Sequence, residues 1–242
     1  MISKNQIKFV KQLDMKKYRQ REGLFVAEGP KVVSDLLTAG FEPHSLFATE
    51  EWAAANSAYN CQFVSPDELR KLSFLQHPQQ VLAVFRLPSP LTPHPSPLTI
   101  ALDGIQDPGN LGTIIRIADW FGIDTIVCSE DTADAWSPKV VQATMGSIAR
   151  VSILYTDLIE FLSNATIPIC GTLLDGDDIY QQELPQEAII VMGNEGNGIS
   201  PAIRKLVNRR LLIPQFRPGA ESLNVAIATA ITCSEFRRRG SK

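Results

Sequence analysis

Long apolar runs, clustered metal ligands and nucleotide fingerprints are all missing from this chain of 242 residues. No stretch approaches the ~18 uninterrupted apolar residues of a membrane helix. The N-terminal MISKNQIKFVKQLDMKK lacks the apolar centre of a secretory signal, so a cytoplasmic protein without a membrane partner is expected. Cys61, Cys128, Cys170 and Cys233 are widely spaced with no CxxC pair, which reads as reduced core thiols rather than disulfides or a zinc site. The three histidines, His44, His77 and His94, have no ligand-spaced partner, and no metal is expected. Neither G-x-G-x-x-G nor G-x-x-x-x-G-K-[ST] occurs, which disfavours a dinucleotide or nucleoside triphosphate site.

What is present is unevenly charged. The net charge is only -3, yet residues 1–40 carry eight Lys/Arg against four Asp/Glu, and residues 204–242 carry nine against two. Between 91 and 203 there are fifteen acids and three bases, Arg116, Lys139 and Arg150. Such asymmetry suits a polyanionic partner met by both ends of the chain, or two solvated helical faces with a basic tail. LPSPLTPHPSPL at 87–98, five prolines in twelve residues, reads as a semi-rigid linker between domains at 1–86 and 99–242.

The first domain reads as a small α/β unit. ISKNQIKFVKQL predicts a helix opened by Ser3, with Ile7, Val10 and Leu13 on one face. GLFVAEG, SLFAT, CQFV and VLAVFRL predict strands, and PKVVSDLLTAG and SPDELRKLS predict helices. KKYRQREG at 16–23 groups basic and stacking side chains suited to RNA, or forms a solvated loop. In the second domain, apolar strands alternate with helices, which argues for a mostly parallel sheet covered on both faces. Ligand loops in such sheets lie beyond the carboxyl ends of strands.

Three polar turns fall at such ends: GIQDPGN, GNEGNGIS and PQFRPGAES. Asn110 stands where a helix N-cap is wanted, and so does Ser222, with Asn224 beside it. Glu195 is the one carboxylate of the second turn, placed to bind a cation or hydroxyl, or to cap the helix beginning near Ser200. Gly193, Gly196 and Gly198 allow close approach or positive φ. Arg116 stands in an otherwise nearly apolar helix, with Asp119 three residues on as a candidate partner.

DPGNLGTIIRIADWFG, IVMGNEGNGIS and IPQFRPGAESLNVAIATAI, in that order, resemble the three motifs of the SpoU (TrmH-like) branch of the SPOUT superfamily. The first domain, through KKYRQREGLFVAEGPKVV and LSFLQHPQQVLAVF, is similar to the substrate-binding domain often attached to it. The resemblance implies an S-adenosylmethionine-dependent RNA ribose 2'-O-methyltransferase acting on rRNA or tRNA, a homodimer, and a C-terminal trefoil knot. It implies that Arg116 assists removal of the 2'-hydroxyl proton, that Asn110 and Glu195 support and shape the site, and that Ser222 and Asn224 touch cofactor and active site. Thr172, Leu173, Gly193, Asn194, Glu195, Gly198, Ile213, Ser222 and Leu223 are the implied cofactor contacts. The basic approach KLVNRRLLIPQF and the turn Gln215-Phe216-Arg217-Pro218 depart from the family's pattern at the pocket rim. A non-catalytic RNA-binding protein that keeps the fold is the alternative.

Overall fold

A computed structural model describes residues 1–89, 97–217, 219 and 221–240; most of the proline-rich linker, 90–96, lies outside the described residues, as does His94. The chain divides into two compact units, one of Met1–Ser89 with Asp134–Ala149, the other of the remainder.

In the first unit, α1 (Lys4–Gln12) begins at a capping box: Gln6 N donates to Ser3 Oγ at 3.1 Å and Ser3 N to Gln6 Oε1 at 2.9 Å. Val10 and Leu13 are fully buried, as their spacing predicts. The basic cluster is not a loop but α2 (Lys16–Glu22), closed by Gly23 at φ 65°. No helix breaker interrupts it, Lys17 and Arg21 lie over the Tyr18 ring, and Arg19 turns inward to 3% exposure. Then follow β1 (Leu24–Glu28), α3 (Pro30–Thr38), β2 (Pro43–Ala48), α4 (Glu50–Ala55), β3 (Gln62–Phe63), α5 (Pro66–Leu72) and β4 (Val81–Arg86). They form a four-stranded sheet of order β1-β4-β2-β3, whose core includes Leu24, Val26, Phe47, Leu72, Leu82 and Val84.

Although sequence order places Asp134–Ala149 within 99–242, this segment packs with the first unit. Its helix α7 (Pro138–Ala143) lies against β1, and Trp136 meets Phe25 with ring centroids 4.7 Å apart. Arg19 makes the polar half of the contact, bonding Asp134 through Nε at 3.1 Å and the carbonyls of Leu13 and Asp14 through Nη1 at 2.7 Å each.

The second unit runs β5 (Leu98–Asp103), α6 (Pro108–Trp120), β6 (Thr125–Cys128), β7 (Ser152–Tyr155), α8 (Leu158–Ser163), β8 (Ile169–Asp178), β9 (Ala188–Gly193), α9 (Pro201–Arg204), β10 (Arg209–Leu212) and α10 (Val225–Gly240). Its six strands, ordered β10-β8-β9-β5-β6-β7, pair in parallel throughout. Ala101, Val127, Ile189 and Val191 pack with Leu158, Leu162 and Ile203 from α8 and α9. The alternate residues Ile100, Ile126 and Ile190 point to the opposite face and are also fully buried, which explains strands without polar alternation. The β8–β10 ladder breaks between Gly171↔Arg210 and Asp177↔Leu211, so Thr172 and Leu173 bulge out of it at the carboxyl end of the sheet.

Cys128, Cys170 and Cys233 are buried and all four cysteines are free. Burial pushes Cys170 and Cys233 up to about 12, so they remain thiols. Among the described residues no helix is long and apolar enough to cross a membrane.

Replacing Arg19 by Met strips the Asp134 carboxylate of its cation and leaves two carbonyls, the buried one of Leu13 and that of Asp14, without this donor. The unfolding free energy measured in urea should fall by about 3 kcal/mol; a loss below about 0.5 kcal/mol would mean that the pair does not hold the segment to its sheet.

Candidate active site

The turns after β5 and β9 and the approach to α10 are joined by one line of hydrogen bonds. Glu195 accepts from Gln106 N at 3.2 Å, from Asp107 N at 3.1 Å and from Asn110 Nδ2 at 3.0 Å. The Asn110 Oδ1 in turn accepts from Asn224 Nδ2 at 2.9 Å. Asn224 Oδ1 accepts from Ala226 N at 2.9 Å and Ile227 N at 3.3 Å, so this side chain also starts α10. The cap of α10 is therefore Asn224 and not Ser222, which stays exposed. Likewise Asn110 does not cap α6: Asp107 does, accepting from Asn110 N at 2.8 Å. Asp107 precedes Pro108 at the first helical position, a signal that could have singled it out. Each asparagine is freed from, or combined with, its capping duty to bridge turns far apart in sequence.

The turn after β9 is wound about its own asparagine. Asn194 and Gly198 exchange backbone bonds of 3.0 and 2.9 Å, Asn194 Oδ1 accepts from Gly196 N and Asn197 N, and Asn194 Nδ2 donates to Gly104 O at 2.6 Å. A Cβ on Gly193 would lie 2.2 Å from Gly198 C and Ile199 N, and Gly198 has φ 67°, so these two positions require glycine. Glu195 does not cap the next helix; Ser200 N donates to Asp103 Oδ2 at 2.7 Å instead. Asp103, at the end of β5, is a residue of this junction that sequence reasoning missed, because a strand-end aspartate has no local signature.

Beside this turn, Thr172 Oγ1 reaches Val191 O at 3.4 Å, which sets the bulge of β8 next to the end of β9. Leu173 is buried, Ile213 follows β10 half-buried, and Leu223 is 49% exposed. Among the described residues no hydrogen bond ties Ser222 or Leu223 to the cluster, so these two stand apart from it. Arg116 is exposed on α6, and among the described residues no hydrogen bond or ion pair engages it. Asp119 is not its partner: Arg150 takes that carboxylate with Nε 3.0 Å from both oxygens and Nη2 2.7 Å from Oδ2. Helices α6 and α10 pack together, joined at one end by Asn224 and Asn110 and at the other by Arg237, which bonds Phe121 O at 2.6 Å and Gly122 O at 2.5 Å.

The cluster has a definite charge state. Desolvation raises the Glu195 carboxyl, but donors from Asn110, its own backbone, Gln106 and Asp107 outweigh it and hold the group below its ordinary range. The site therefore presents a fixed, fully engaged carboxylate, a backbone cradle without phosphate-binding glycines, and one exposed guanidinium.

A model of the SpoU rRNA Methylase family matches residues 97–234. The chain belongs to this family. A second model, of the MRM3-like substrate binding domain, matches residues 4–83. Among curated relatives, the 23S rRNA (guanosine(2553)-2'-O)-methyltransferase RlmP of Bacillus subtilis is 31% identical, with 97% of each chain covered. A TrmH-family protein from Porphyromonas gingivalis superposes at TM-score 0.92 with 44% identity over 99% of both chains. An AdoMet-bound rRNA methyltransferase from Sinorhizobium meliloti superposes at TM-score 0.87 with 32% identity, covering 99% of this chain and 96% of that one. The SpoU match spans every member of the hydrogen-bonded cluster, Asp103 and Asp107 included.

Asn110→Ala removes the first of the donors that lower Glu195, so its carboxyl should titrate at higher pH. Because a depressed carboxyl stabilises the cluster above its unfolded value and loses that support as pH falls through its folded one, the turn should come apart at a less acid pH. Carboxyl-carbon NMR of Glu195 would follow this; an unchanged midpoint would mean that the Asn110 bond does not exist in solution.

Proposed function

We propose that this chain is an RNA ribose 2'-O-methyltransferase that uses S-adenosylmethionine. The observation that carries the reading is the union of the three motif turns through Glu195, Asn110 and Asn224 at the carboxyl ends of a parallel sheet. Relatives named as rRNA 2'-O-methyltransferases over nearly the whole chain support ribosomal RNA as substrate, and the AdoMet-bound neighbour supports the donor. A cytoplasmic site of action goes with that substrate.

The residues suit such a donor. Gly193 lets the turn after β9 close on its own backbone and Gly198 takes its positive φ, with Thr172 and Leu173 bulging from β8 at the same end of the sheet. We assign the donor to the backbone of Leu173, Gly193, Asn194, Glu195, Gly198, Ile213 and Leu223, with Thr172 and Ser222 at its margin. The donor, when bound, offers a methyl group activated on a sulfonium.

The protein must then align a weak nucleophile and receive its proton. Glu195 and Asn110 fix the start of α6, the helix that carries Arg116. An arginine stays protonated in water, so Arg116 either accepts the proton in a special setting or holds the neighbouring phosphate and steadies the developing alkoxide. Both roles use an exposed guanidinium with no internal partner, as found here.

Homodimerisation and the C-terminal trefoil knot belong to the same proposal. Trp120 is 85% and Ile227 52% exposed on the packed pair α6 and α10, apolar surface that a second copy would cover. The all-parallel order β10-β8-β9-β5-β6-β7 is consistent with the knot. A non-catalytic RNA-binding protein would have no need to keep Arg116, Glu195 and Asn224 together, and all three are present.

Arg116→Ala should leave S-adenosylmethionine affinity by calorimetry within about twofold while methyl transfer falls by about 100-fold or more. Turnover within a few fold of the parent would remove Arg116 from the mechanism.

A further inference from the structure

The first unit contains a groove of about 890 Å³ that the methyl-transfer site does not use. Its floor includes Val64 and Leu69, and its walls come from the starts of α3, α4 and α5 and from the loop 76–80. Gln76, Gln79 and Gln80 contribute amides, His77 a flat imidazole and Pro78 a compact apolar ring. The Thr49 Oγ1 atom is buried and has no hydrogen-bond partner among the described residues. Shut off from solvent, that atom lies behind the groove wall and offers no contact to an occupant.

The loop is held rather than loose. Glu28, buried at the end of β1, accepts from Ser73 Oγ and from Phe74 N at 2.8 Å. Ser73 Oγ accepts from Leu75 N at 2.9 Å, and Lys11 bonds Ser73 O while lying 4.6 Å over the Phe74 ring. At the far end Gln80 has φ 50°, Val81 N reaches back to Gln79 O at 2.5 Å, and Gln80 O accepts from Thr49 N at 2.8 Å. A buried carboxylate and a left-handed glutamine are unfavourable features that persist where the surroundings dictate one loop shape.

The charge around the groove rules against a phosphate seat. Glu50 and Glu51 stand on the wall, and Arg70 is already paired with Asp67 at 3.0 Å. Neutral amides instead match the mixed donor and acceptor edges of nucleobases, and the proline and imidazole rings offer faces for stacking. The match to a substrate binding domain model spans all of these residues.

We propose that this groove seats an unstacked base of the RNA substrate and reads its edge through Gln76, Gln79 and Gln80. The proposal rests on the RNA methyltransferase reading and adds where sequence is read. Phosphates are engaged elsewhere, so the groove contributes base preference without contributing to salt dependence.

The test uses the full chain, short homopolymeric oligoribonucleotides of each base, and fluorescence anisotropy over a salt series. Gln76 and Gln79 have exposed side chains, so the double variant Gln76→Ala/Gln79→Ala should fold, and a thermal melt checks that it does. The parent should favour one homopolymer by about tenfold. The double variant should bring all four within about twofold, with the salt slope and S-adenosylmethionine affinity unchanged. Equal affinities in the parent, a preference that survives the double variant, or a flatter salt slope would each overturn the proposal; the first two would point to a different occupant, such as a peptide. Base preference in a protein that does not bind S-adenosylmethionine would sink the methyltransferase reading while leaving the groove standing. Donor binding without base preference would do the reverse.

Discussion

The architecture of the site depends on one relay, Asn224 to Asn110 to Glu195. An asparagine can donate through Nδ2 while accepting through Oδ1, so Asn110 can face a carboxylate on one side and an amide donor on the other. An aspartate there would set charge against charge, and an alanine would cost Glu195 one of its donors and Asn224 Nδ2 its acceptor. Each bond to a neutral partner contributes about 1 kcal/mol, and those to the Glu195 charge more. The geometric effect is larger than the energy. Turns after β5 and β9 and the approach to α10 acquire one common register, and Arg116 rides on the helix whose start that register fixes.

The relay works because the sheet beneath it is stiff and apolar on both faces. Parallel strands bring their carboxyl ends to one edge, so each turn begins from a fixed point. Gly193 lets the turn after β9 close to contact distance with its own backbone, and Asp103 ties the end of that turn to β5. A bulge in β8 puts Thr172 and Leu173 beside it. Polar groups in these turns are mostly engaged with one another, while the exposed guanidinium of Arg116 is available to an external substrate.

Much of this was legible in the residues, and the failures have physical causes. Apolar runs marked the strands, and capping chemistry marked Ser3 at the start of α1. The motif turns were legible as turns, but their cross-links were not. Capping preference says that an asparagine near a helix start has a local use; it cannot show that Asp107 takes the cap of α6 and releases Asn110 to Glu195. Helical spacing paired Arg116 with Asp119, whereas Arg150 reaches that carboxylate from outside the helix. The packing of Asp134–Ala149 with the first unit is equally non-local: Trp136 finds Phe25 across more than a hundred residues, and no periodicity records that. Helix α2 was hidden by its charge, because the one arginine that turns inward looks the same in sequence as those that do not.

The central claim is methyl transfer to a ribose hydroxyl, and the most direct measurement follows the methyl group itself. Undermodified ribosomal RNA is incubated with the protein and S-adenosylmethionine carrying a deuterated methyl, then digested to nucleosides and analysed by mass spectrometry. The account predicts that the label appears on the sugar fragment of a 2'-O-methylated nucleoside and that the base fragment stays unlabelled. Label on a base, or none in RNA from a protein that binds the donor, would contradict it.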